Sequence, residues 1–165
     1  MLYPNFMSGQ TVGVLGLGSS GIAAAQALHA AGVIVFMHDD NKPDIRMHEG
    51  TVANWQKWPW AELDALVISP GIPHLHPTPH PAAARARVED VEIISEVEIA
   101  LRAAPTAPLV VITGTNGKST TTALIGHCLL EAGKSAAVGG NIGQPACSLD
   151  DPGPNGVIVL ELSSY

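Results

Sequence analysis

The chain has 165 residues, which is enough for one ordinary domain or two small ones. Its 8 basic and 15 acidic residues give a net charge of −7, which argues against a nucleic-acid-binding or anionic-membrane surface. Hydrophobic residues make up 46% of the chain and aromatic residues only 4%, so the composition excludes intrinsic disorder and predicts an aliphatic core. No apolar run reaches the roughly 18 residues of a membrane helix, so we expect a cytoplasmic protein without membrane insertion.

A strand, a glycine-rich loop, a helix and a second strand follow one another near the N-terminus. Residues 11–15 have the length and composition of a buried strand, and the loop GLGSSG comes next. The Ala-rich stretch after the loop is helical in pattern and ends at Gly32, and residues 33–37 form another apolar run. This order predicts a βαβ unit and therefore a parallel sheet with a right-handed crossover.

The middle of the chain is less regular and leads to a linker. The patterns predict, in order, a strand over 64–69, a helix over 81–87, a strand over 91–95 and a helix over 95–103. Pro105 and Pro108 then frame a natural linker. We therefore expect a first domain over residues 1–104 and a second over 105–165.

The second domain opens with the same kind of unit. The strand LVVIT precedes the loop TGTNGKST, a helix follows, and two more strand patterns, SAAV and VIVLE, come later. The predicted fold class is α/β, with a Rossmann-like parallel-sheet domain followed by the beginning of a P-loop α/β domain. Because no residues follow VIVLELSSY to cover this strand, we expect a truncated, poorly covered central part.

The loop at residues 113–120 has the context of a phosphate-binding loop, between a strand and a helix. Gly114 and Gly117 allow backbone N–H groups to approach phosphate oxygens at a helix N-terminus. Lys118 can reach the β- and γ-phosphates, and the Ser119 hydroxyl can ligate Mg²⁺. Glu161 ends the strand VIVLE and is a second candidate ligand for that ion.

The first loop contains the pattern GxGxxG, formed by Gly16, Gly18 and Gly21. Asp39 follows the next strand, which completes a dinucleotide-binding fingerprint. These residues indicate that a diphosphate can approach the backbone, but NAD and a UDP-sugar meet the same requirements. A glycine turn selected only for helix–strand packing is the structural alternative.

Two further motifs and three histidines are ambiguous by themselves. SPGIP follows the strand at 64–69, and GGNIG follows SAAV; each is either a rigid turn or part of a ligand site. The histidines at positions 74, 76 and 80 are separated or flanked by prolines, and we do not expect a metal there. Cys128 lies in an apolar helical stretch, where a buried thiol is expected.

Taken together, TGTNGKST, SPGIP, GGNIG and LELSS resemble the Mur ligases of peptidoglycan synthesis, over essentially the whole chain. Ser119 after the lysine, together with SPGIP, is similar to the members that add D-glutamate to UDP-N-acetylmuramoyl-L-alanine. The resemblance implies ATP-dependent amide formation through an acyl phosphate, with ATP and Mg²⁺ required. It also implies that the remaining parts of such an enzyme would lie beyond Tyr165 and that these residues alone bind uridine nucleotides without turnover.

The resemblance also assigns roles to individual residues. The UDP diphosphate would be held by Gly18, Ser19, Ser20 and Gly21. Asp39 and Asp40 would reach the uracil and ribose, Gly71 would border the nucleotide, and Asn141 and Ser163 would lie at the muramoyl part. ATP would be bound by Gly114, Thr115, Asn116, Gly117, Lys118, Ser119 and Thr120, with Lys118 as the catalytic residue. Ser119 and Glu161 would hold the metal.

Two alternatives belong to other functional classes. An NAD(P)-dependent oxidoreductase would explain GLGSSG and Asp39 but leaves TGTNGKST without a role. A nucleotide-binding module without catalysis, such as a sensor, would use both loops and carry out no reaction.

Overall fold

Five parallel strands form the first sheet of the computed structural model, which describes residues 1–42, 44–75, 78–103 and 105–163. The strands are β1 (Thr11–Leu15), β2 (Ile34–His38), β3 (Thr51–Val52), β4 (Ala65–Ile68) and β5 (Glu92–Ile94). Their spatial order is β3-β2-β1-β4-β5. The chain therefore runs outward from β1 in both directions, and the carboxyl ends of β1 and β4 flank the point where α/β sheets bind ligands.

Helices cover both faces of this sheet. They are α1 (Ser19–Ala30), α2 (Pro81–Val88) and α3 (Glu96–Arg102). Small and aliphatic side chains of α1 and α3 share one buried cluster with β1 and β2. The opposite face packs against α2 and the buried indoles of Trp58 and Trp60. The first unit is therefore a three-layer sandwich whose core is aliphatic on one face and contains tryptophan on the other.

A smaller sheet follows the linker. Its strands are β6 (Leu109–Ile112), β7 (Ala136–Gly140) and β8 (Val157–Glu161), all parallel, in the order β6-β8-β7. Helix α4 (Lys118–Glu131) connects β6 to β7. The sequence prediction of a second strand–loop–helix unit is correct, and the loops after β6, β7 and β8 all lie at the same edge of the sheet.

The expectation that Cys128 is buried is wrong, because other residues of α4 face the sheet. Thr122 and Gly126 are its buried positions, and a Cβ on Gly126 would lie 2.5 Å from Cγ2 of Val138. A small residue is therefore needed where the helix crosses β7. Cys128 lies away from this contact and is exposed, as are Leu124 and Leu130.

The expectation that VIVLE lacks cover is also wrong. Strand β8 is the central strand of its sheet, and Ile158 and Leu160 belong to the same buried cluster as α1 and α3. A 3-10 turn at Ala146–Ser148 fits against those two helices. The backbone N–H of Cys147 donates to the Glu96 carboxyl, and the Cys147 thiol donates to the Glu96 carbonyl at 3.3 Å. The two sheets thus share a core, and the division near Pro105 stays a prediction.

Among the described residues, no helix combines the length and the apolar character needed to cross a membrane.

Candidate functional site

A hydrogen bond joins the loops after β1 and β4, at the point where the strand order of the sheet reverses. The Ser69 hydroxyl donates to the Gly16 carbonyl at 2.8 Å, and Gly16 itself has φ +88°. A Cβ on Gly21 would lie 1.8 Å from that same carbonyl oxygen, so only glycine allows α1 to start this close to β1. Close packing therefore explains the glycines at positions 16 and 21. The sequence analysis did not predict that Ser69 contacts them.

Gly18 differs from its neighbours because it faces open space. A Cβ added there would meet no heavy atom within 4 Å, and the residue has φ −74°, a conformation open to other residues. It is the N-cap of α1, where the first N–H groups of the helix have no partner within the helix. A ligand with acceptor oxygens can therefore approach the backbone at this point.

An opening of about 430 Å³ joins these loops to the second unit. Its described lining residues come from the glycine loop, the SPGIP turn and the loop after β7: Gly18, Ser19, Ser20, Ser69, Pro70, Gly71, Gly140, Asn141, Gly143 and Pro145. The structure thus brings together six of the predicted ligand-site residues: Gly18, Ser19, Ser20, Gly71 and Asn141 line this opening, and Ser163 contacts Asn141.

Asp39 is buried and holds the backbone of the glycine loop. One carboxylate oxygen accepts the Leu17 N–H at 2.6 Å, and the other accepts the Asn41 N–H at 2.8 Å. Its side chain thus fixes the turn after β1 against the turn after β2. A direct contact with a nucleotide stays a prediction for this residue.

Asp40 is exposed and lies between two histidines. His80 Nε2 is 2.8 Å from one of its carboxylate oxygens, and His38 Nε2 is 3.0 Å from the other. Because His80 Nδ1 accepts the Ala82 N–H, the proton of the neutral ring lies on Nε2 and is donated to Asp40. The hydrogen bond from His80, more than that from His38, lowers the pKa of the Asp40 carboxyl. His80 had been given no role by the sequence.

Lys42 is a second residue that the sequence analysis missed. Its ammonium donates to the Leu17 carbonyl at 2.7 Å, which places it beside the glycine loop. The sequence signal was available, since Lys42 is a basic residue three positions after Asp39 at the end of β2.

The loop between β6 and α4 has the backbone of a phosphate-binding turn. Gly114 has φ +137° and Gly117 has φ +75°, and a Cβ on either would meet open space. The glycines are therefore needed for backbone conformation rather than for packing. Lys118 folds back over the loop and donates to the Gly114 carbonyl at 2.8 Å. Thr115, Asn116, Ser119 and Thr120 are exposed around it.

Glu161 lies at the end of the central strand β8 and is 5% exposed. Within the described part of the chain its Oε2 has no hydrogen-bond partner, a condition it shares with Thr122 Oγ1 on α4. Ser119 lies one turn before Thr122 on α4 and is exposed. A buried carboxylate oxygen without a hydrogen-bond partner is the kind of ligand that a hard cation such as Mg²⁺ prefers.

A chain of hydrogen bonds joins the two loops of the second sheet to the tail after β8. Asn141 Nδ2 donates to Ser163 Oγ at 2.6 Å, and the Thr113 hydroxyl donates to the Ser163 carbonyl at 3.3 Å. Asn141 and Ser163 also line a larger cavity of about 960 Å³ that reaches the SPGIP turn and α3. These hydrogen bonds therefore link the opening at the glycine loop to Thr113, where the phosphate-binding loop begins.

The histidine cluster of the sequence is divided in the structure. His80 binds Asp40, His74 is exposed, and His76 lies outside the described residues. Among the residues that are described, no group of three or more His, Cys, Asp or Glu side chains could hold a metal ion.

Comparison with known proteins gives close relatives but no matching family model. The chain is 48% identical over 96% of its length to a protein of Rhodopseudomonas palustris (strain HaA2) named UDP-N-acetylmuramoylalanine--D-glutamate ligase. Proteins of the same name from Nitrobacter winogradskyi and Mesorhizobium japonicum are 47% and 44% identical over 96% of the chain. In each comparison the chain spans 35% of the relative's length.

Two solved structures share the fold at lower identity. One is the UDP-N-acetylmuramate:L-alanyl-gamma-D-glutamyl-meso-diaminopimelate ligase from Neisseria meningitides, with TM-score 0.53 and 16% identity over 94% of this chain and 55% of that one. The other is a murein peptide ligase from Psychrobacter arcticus 273-4, with TM-score 0.52 and 18% identity over 95% of this chain and 38% of that one. These likenesses confirm the predicted α/β fold class.

Proposed function

We propose that this chain, which belongs to the Mur ligase family, is part of an ATP-dependent ligase. In that enzyme it would bind a UDP-linked substrate and the phosphates of ATP. The complete enzyme would join D-glutamate to UDP-N-acetylmuramoyl-L-alanine in peptidoglycan synthesis. The chain by itself would bind uridine nucleotides but would not catalyse the ligase reaction.

One observation carries this proposal above all others. The glycine loop of the first sheet and Asn141 of the second line the same opening, and Asn141 is linked through Ser163 to the strand end that starts the phosphate-binding loop. A nucleotide-sugar bound at the first loop would point its sugar toward the second. This is the arrangement that an enzyme needs to phosphorylate the far end of a UDP-linked acid with ATP.

On the uridine side, the backbone N–H groups at Gly18, Ser19 and Ser20 would donate to the diphosphate, and Gly21 would allow the close start of the helix. Gly71 would border the nucleotide, since its φ of +94° and open surroundings leave space above the turn. Asp40 would accept hydrogen bonds from the ribose or uracil, and Asp39 would keep the loop in place. Asn141 and Ser163 would contact the muramoyl part.

On the ATP side, residues 114–120 would surround the phosphates, and Lys118 would leave the Gly114 carbonyl for the β- and γ-phosphates. Ser119 would offer Mg²⁺ its hydroxyl oxygen, and Glu161 its carboxylate oxygen that has no hydrogen-bond partner among the described residues. When bound, the ion neutralises charge on the transferring phosphoryl group. Lys118 would provide a second positive charge at the same group.

The reaction proposed for the complete enzyme has two steps. The carboxylate of UDP-N-acetylmuramoyl-L-alanine attacks the γ-phosphorus of ATP, the bond to the β-γ bridging oxygen breaks, and an acyl phosphate and ADP result. The amine of D-glutamate then attacks the acyl carbon and displaces inorganic phosphate, leaving an amide. In this scheme the residues of this chain position the substrate and stabilise charge during the first step.

The oxidoreductase alternative is tested by titrating the chain calorimetrically with UDP and, separately, with NADH. We expect UDP to bind with a stoichiometry of one and NADH to bind more weakly, because the opening at the glycine loop is also lined by Asn141 of the second unit, which suits a nucleotide-sugar. Tighter binding of NADH than of UDP would favour the oxidoreductase. Binding of neither nucleotide would contradict the proposed function.

A further inference from the structure

We propose that Thr122 is a positioning residue for the Mg²⁺ site, whose hydroxyl donates to the Glu161 carboxylate and holds that ligand toward the ion. The inference rests on the proposed ATP site and deepens it, since it adds a residue of α4 that belongs neither to the loop motif nor to the end of a strand. Thr122 acts through Glu161 and does not touch the ion itself.

Thr122 and Glu161 are buried polar residues with side-chain atoms that lack partners. Thr122 is 0% exposed and Glu161 is 5% exposed. Within the part of the chain that the structure describes, Thr122 Oγ1 and Glu161 Oε2 are the two buried side-chain nitrogen or oxygen atoms without a hydrogen-bond partner. Such an atom costs free energy in a folded protein. A hydroxyl can donate and an ionised carboxylate can only accept, so the two groups are chemically complementary.

The register of the second sheet places the Glu161 side chain on the face that α4 covers. Val138 points toward this helix, because a Cβ on Gly126 would lie 2.5 Å from its Cγ2. Val138 pairs with Val159 of β8, and paired residues of parallel strands share a face, as do residues two apart on one strand. Glu161 therefore faces α4 as well. The intervening Leu160 points the other way, into the cluster that contains residues of α1 and α3.

The same register places Thr122 level with Glu161 along the strands. Helix α4 connects two parallel strands and packs mainly on β7 and β8, so it runs antiparallel to them. Thr122 lies one turn before Gly126, on the same side of the helix and about 6 Å nearer the carboxyl ends of the strands. Glu161 lies two residues beyond Val159, about 6.6 Å in the same direction. The hydroxyl and the carboxyl therefore belong to one level of the interface between α4 and β8.

The proposed hydrogen bond joins two side chains that are not bonded to each other in this structure. Glutamate has several side-chain torsions, so its carboxylate can turn toward the hydroxyl while the strand keeps its place. An ionised carboxylate has lone pairs for both partners, so it can accept from Thr122 and still ligate the ion together with Ser119. A ligand that is oriented by such a partner binds a metal ion more tightly.

The test measures binding of the ATP analogue AMPPNP by calorimetry, once with Mg²⁺ and once with EDTA, on the wild-type chain and on Thr122→Val. We expect the variant to bind AMPPNP about tenfold more weakly in Mg²⁺, as for the loss of a residue that orients a metal ligand. In EDTA it should bind AMPPNP as the wild type does. Thr122→Ser keeps the hydroxyl and should restore most of the affinity.

Thr121→Val is the matched control, because it makes the same chemical change one residue earlier, at an exposed position of α4. Its affinity for AMPPNP should equal that of the wild type under both conditions.

A double-mutant cycle tests whether Thr122 acts through Glu161. Glu161→Gln should weaken binding of AMPPNP in Mg²⁺, and Thr122→Val should cause little further loss in that background. Without nucleotide, Thr122→Val should raise the midpoint of urea denaturation, because valine replaces a buried hydroxyl that has no partner among the described residues. A structural role for the hydroxyl would lower that midpoint.

Four results would each overturn the assignment of Thr122. They are equal binding in Mg²⁺ by Thr122→Val and the wild type, an equal loss in Mg²⁺ and in EDTA, additive losses in the cycle, and a lower urea midpoint for Thr122→Val. Failure of the wild type to bind AMPPNP in Mg²⁺ would instead refute the proposed ATP site on which the assignment rests.

Discussion

At the scale of single residues, the glycine loop combines two kinds of glycine that its sequence pattern does not distinguish. Gly21 is required because the Gly16 carbonyl oxygen occupies the place of a Cβ, whereas Gly18 borders open space. The first is a packing requirement within the protein, and the second leaves access for a ligand. The pattern GxGxxG predicts both positions, but only the coordinates separate their roles.

Gly21→Ala should destabilise the chain although alanine favours helices over glycine by about 1 kcal/mol. The new Cβ would lie 1.8 Å from the Gly16 carbonyl oxygen, so α1 must move away from β1. We expect a loss of about 2 kcal/mol or more in the free energy of unfolding, measured by urea denaturation.

Gly18→Ser is the control for this change. It adds a side chain in open space at an N-cap position, where serine is favoured, and should leave the unfolding free energy the same or slightly higher. If Gly21→Ala were as stable as Gly18→Ser, the close approach of α1 to β1 would not exist in solution.

At the scale of elements, the strands and helices with a strong pattern were predicted correctly to within one or two residues, apart from the starts of α1 and α4, which each lie three residues earlier, inside the glycine-containing loops. β1 matches its prediction, and the helix before Gly32 ends at Ala30 with Gly32 at φ +78°. The two-residue strand β3 was not predicted, since two residues at a sheet edge have no periodicity. Cys128 was misplaced because an apolar helix does not itself indicate which side faces the sheet, and here small residues make that contact.

The contact between α3 and the turn at Ala146–Ser148 could not be predicted from sequence, because its two sides are about 50 residues apart. Glu96 is 2% exposed and accepts the Cys147 N–H. Burial raises the pKa of the Glu96 carboxyl, against a smaller opposing effect of its hydrogen bonds. The carboxyl therefore binds its proton more tightly in the folded chain than in the unfolded one.

This difference predicts a pH dependence of stability with a definite sign. The contribution of Glu96 is fully present below its unfolded pKa of about 4.3 and is lost as the pH rises through its folded pKa. Glu96→Gln stays neutral and keeps an oxygen that can accept the Cys147 N–H. We therefore expect its unfolding free energy, relative to the wild type, to be higher at pH 8 than at pH 4.

Asp40→Asn provides a control of opposite sign. The hydrogen bond from His80 lowers the pKa of Asp40. The contribution of Asp40 to the free energy of unfolding is therefore present above its unfolded pKa and is lost as the pH falls. The loss of unfolding free energy caused by Asp40→Asn should therefore become smaller as the pH falls. If urea denaturation from pH 4 to pH 8 gave Glu96→Gln and the wild type parallel curves, Glu96 would not be buried in the folded state.

At the scale of the whole molecule, two sheets with different nucleotide-binding loops are packed so that one opening is shared between them. The sequence predicted both loops and the residue types at each, because glycine turns and strand ends have local signatures. It did not predict that Ser69 and Lys42 bond to the glycine loop or that His80 bonds to Asp40, since each partner is 25 or more positions away. Long-range contacts of this kind leave no periodic pattern in a single sequence.

The measurement that tests the central claim most directly is the activity of a chimera. In it, this chain replaces the matching 35% of the Rhodopseudomonas palustris ligase, to which it is 48% identical. The account predicts ADP release that requires both D-glutamate and UDP-N-acetylmuramoyl-L-alanine and that Lys118→Met reduces by at least about 100-fold. A folded chimera that binds UDP yet releases no D-glutamate-dependent ADP, or whose ADP release is unaffected by Lys118→Met, would contradict it.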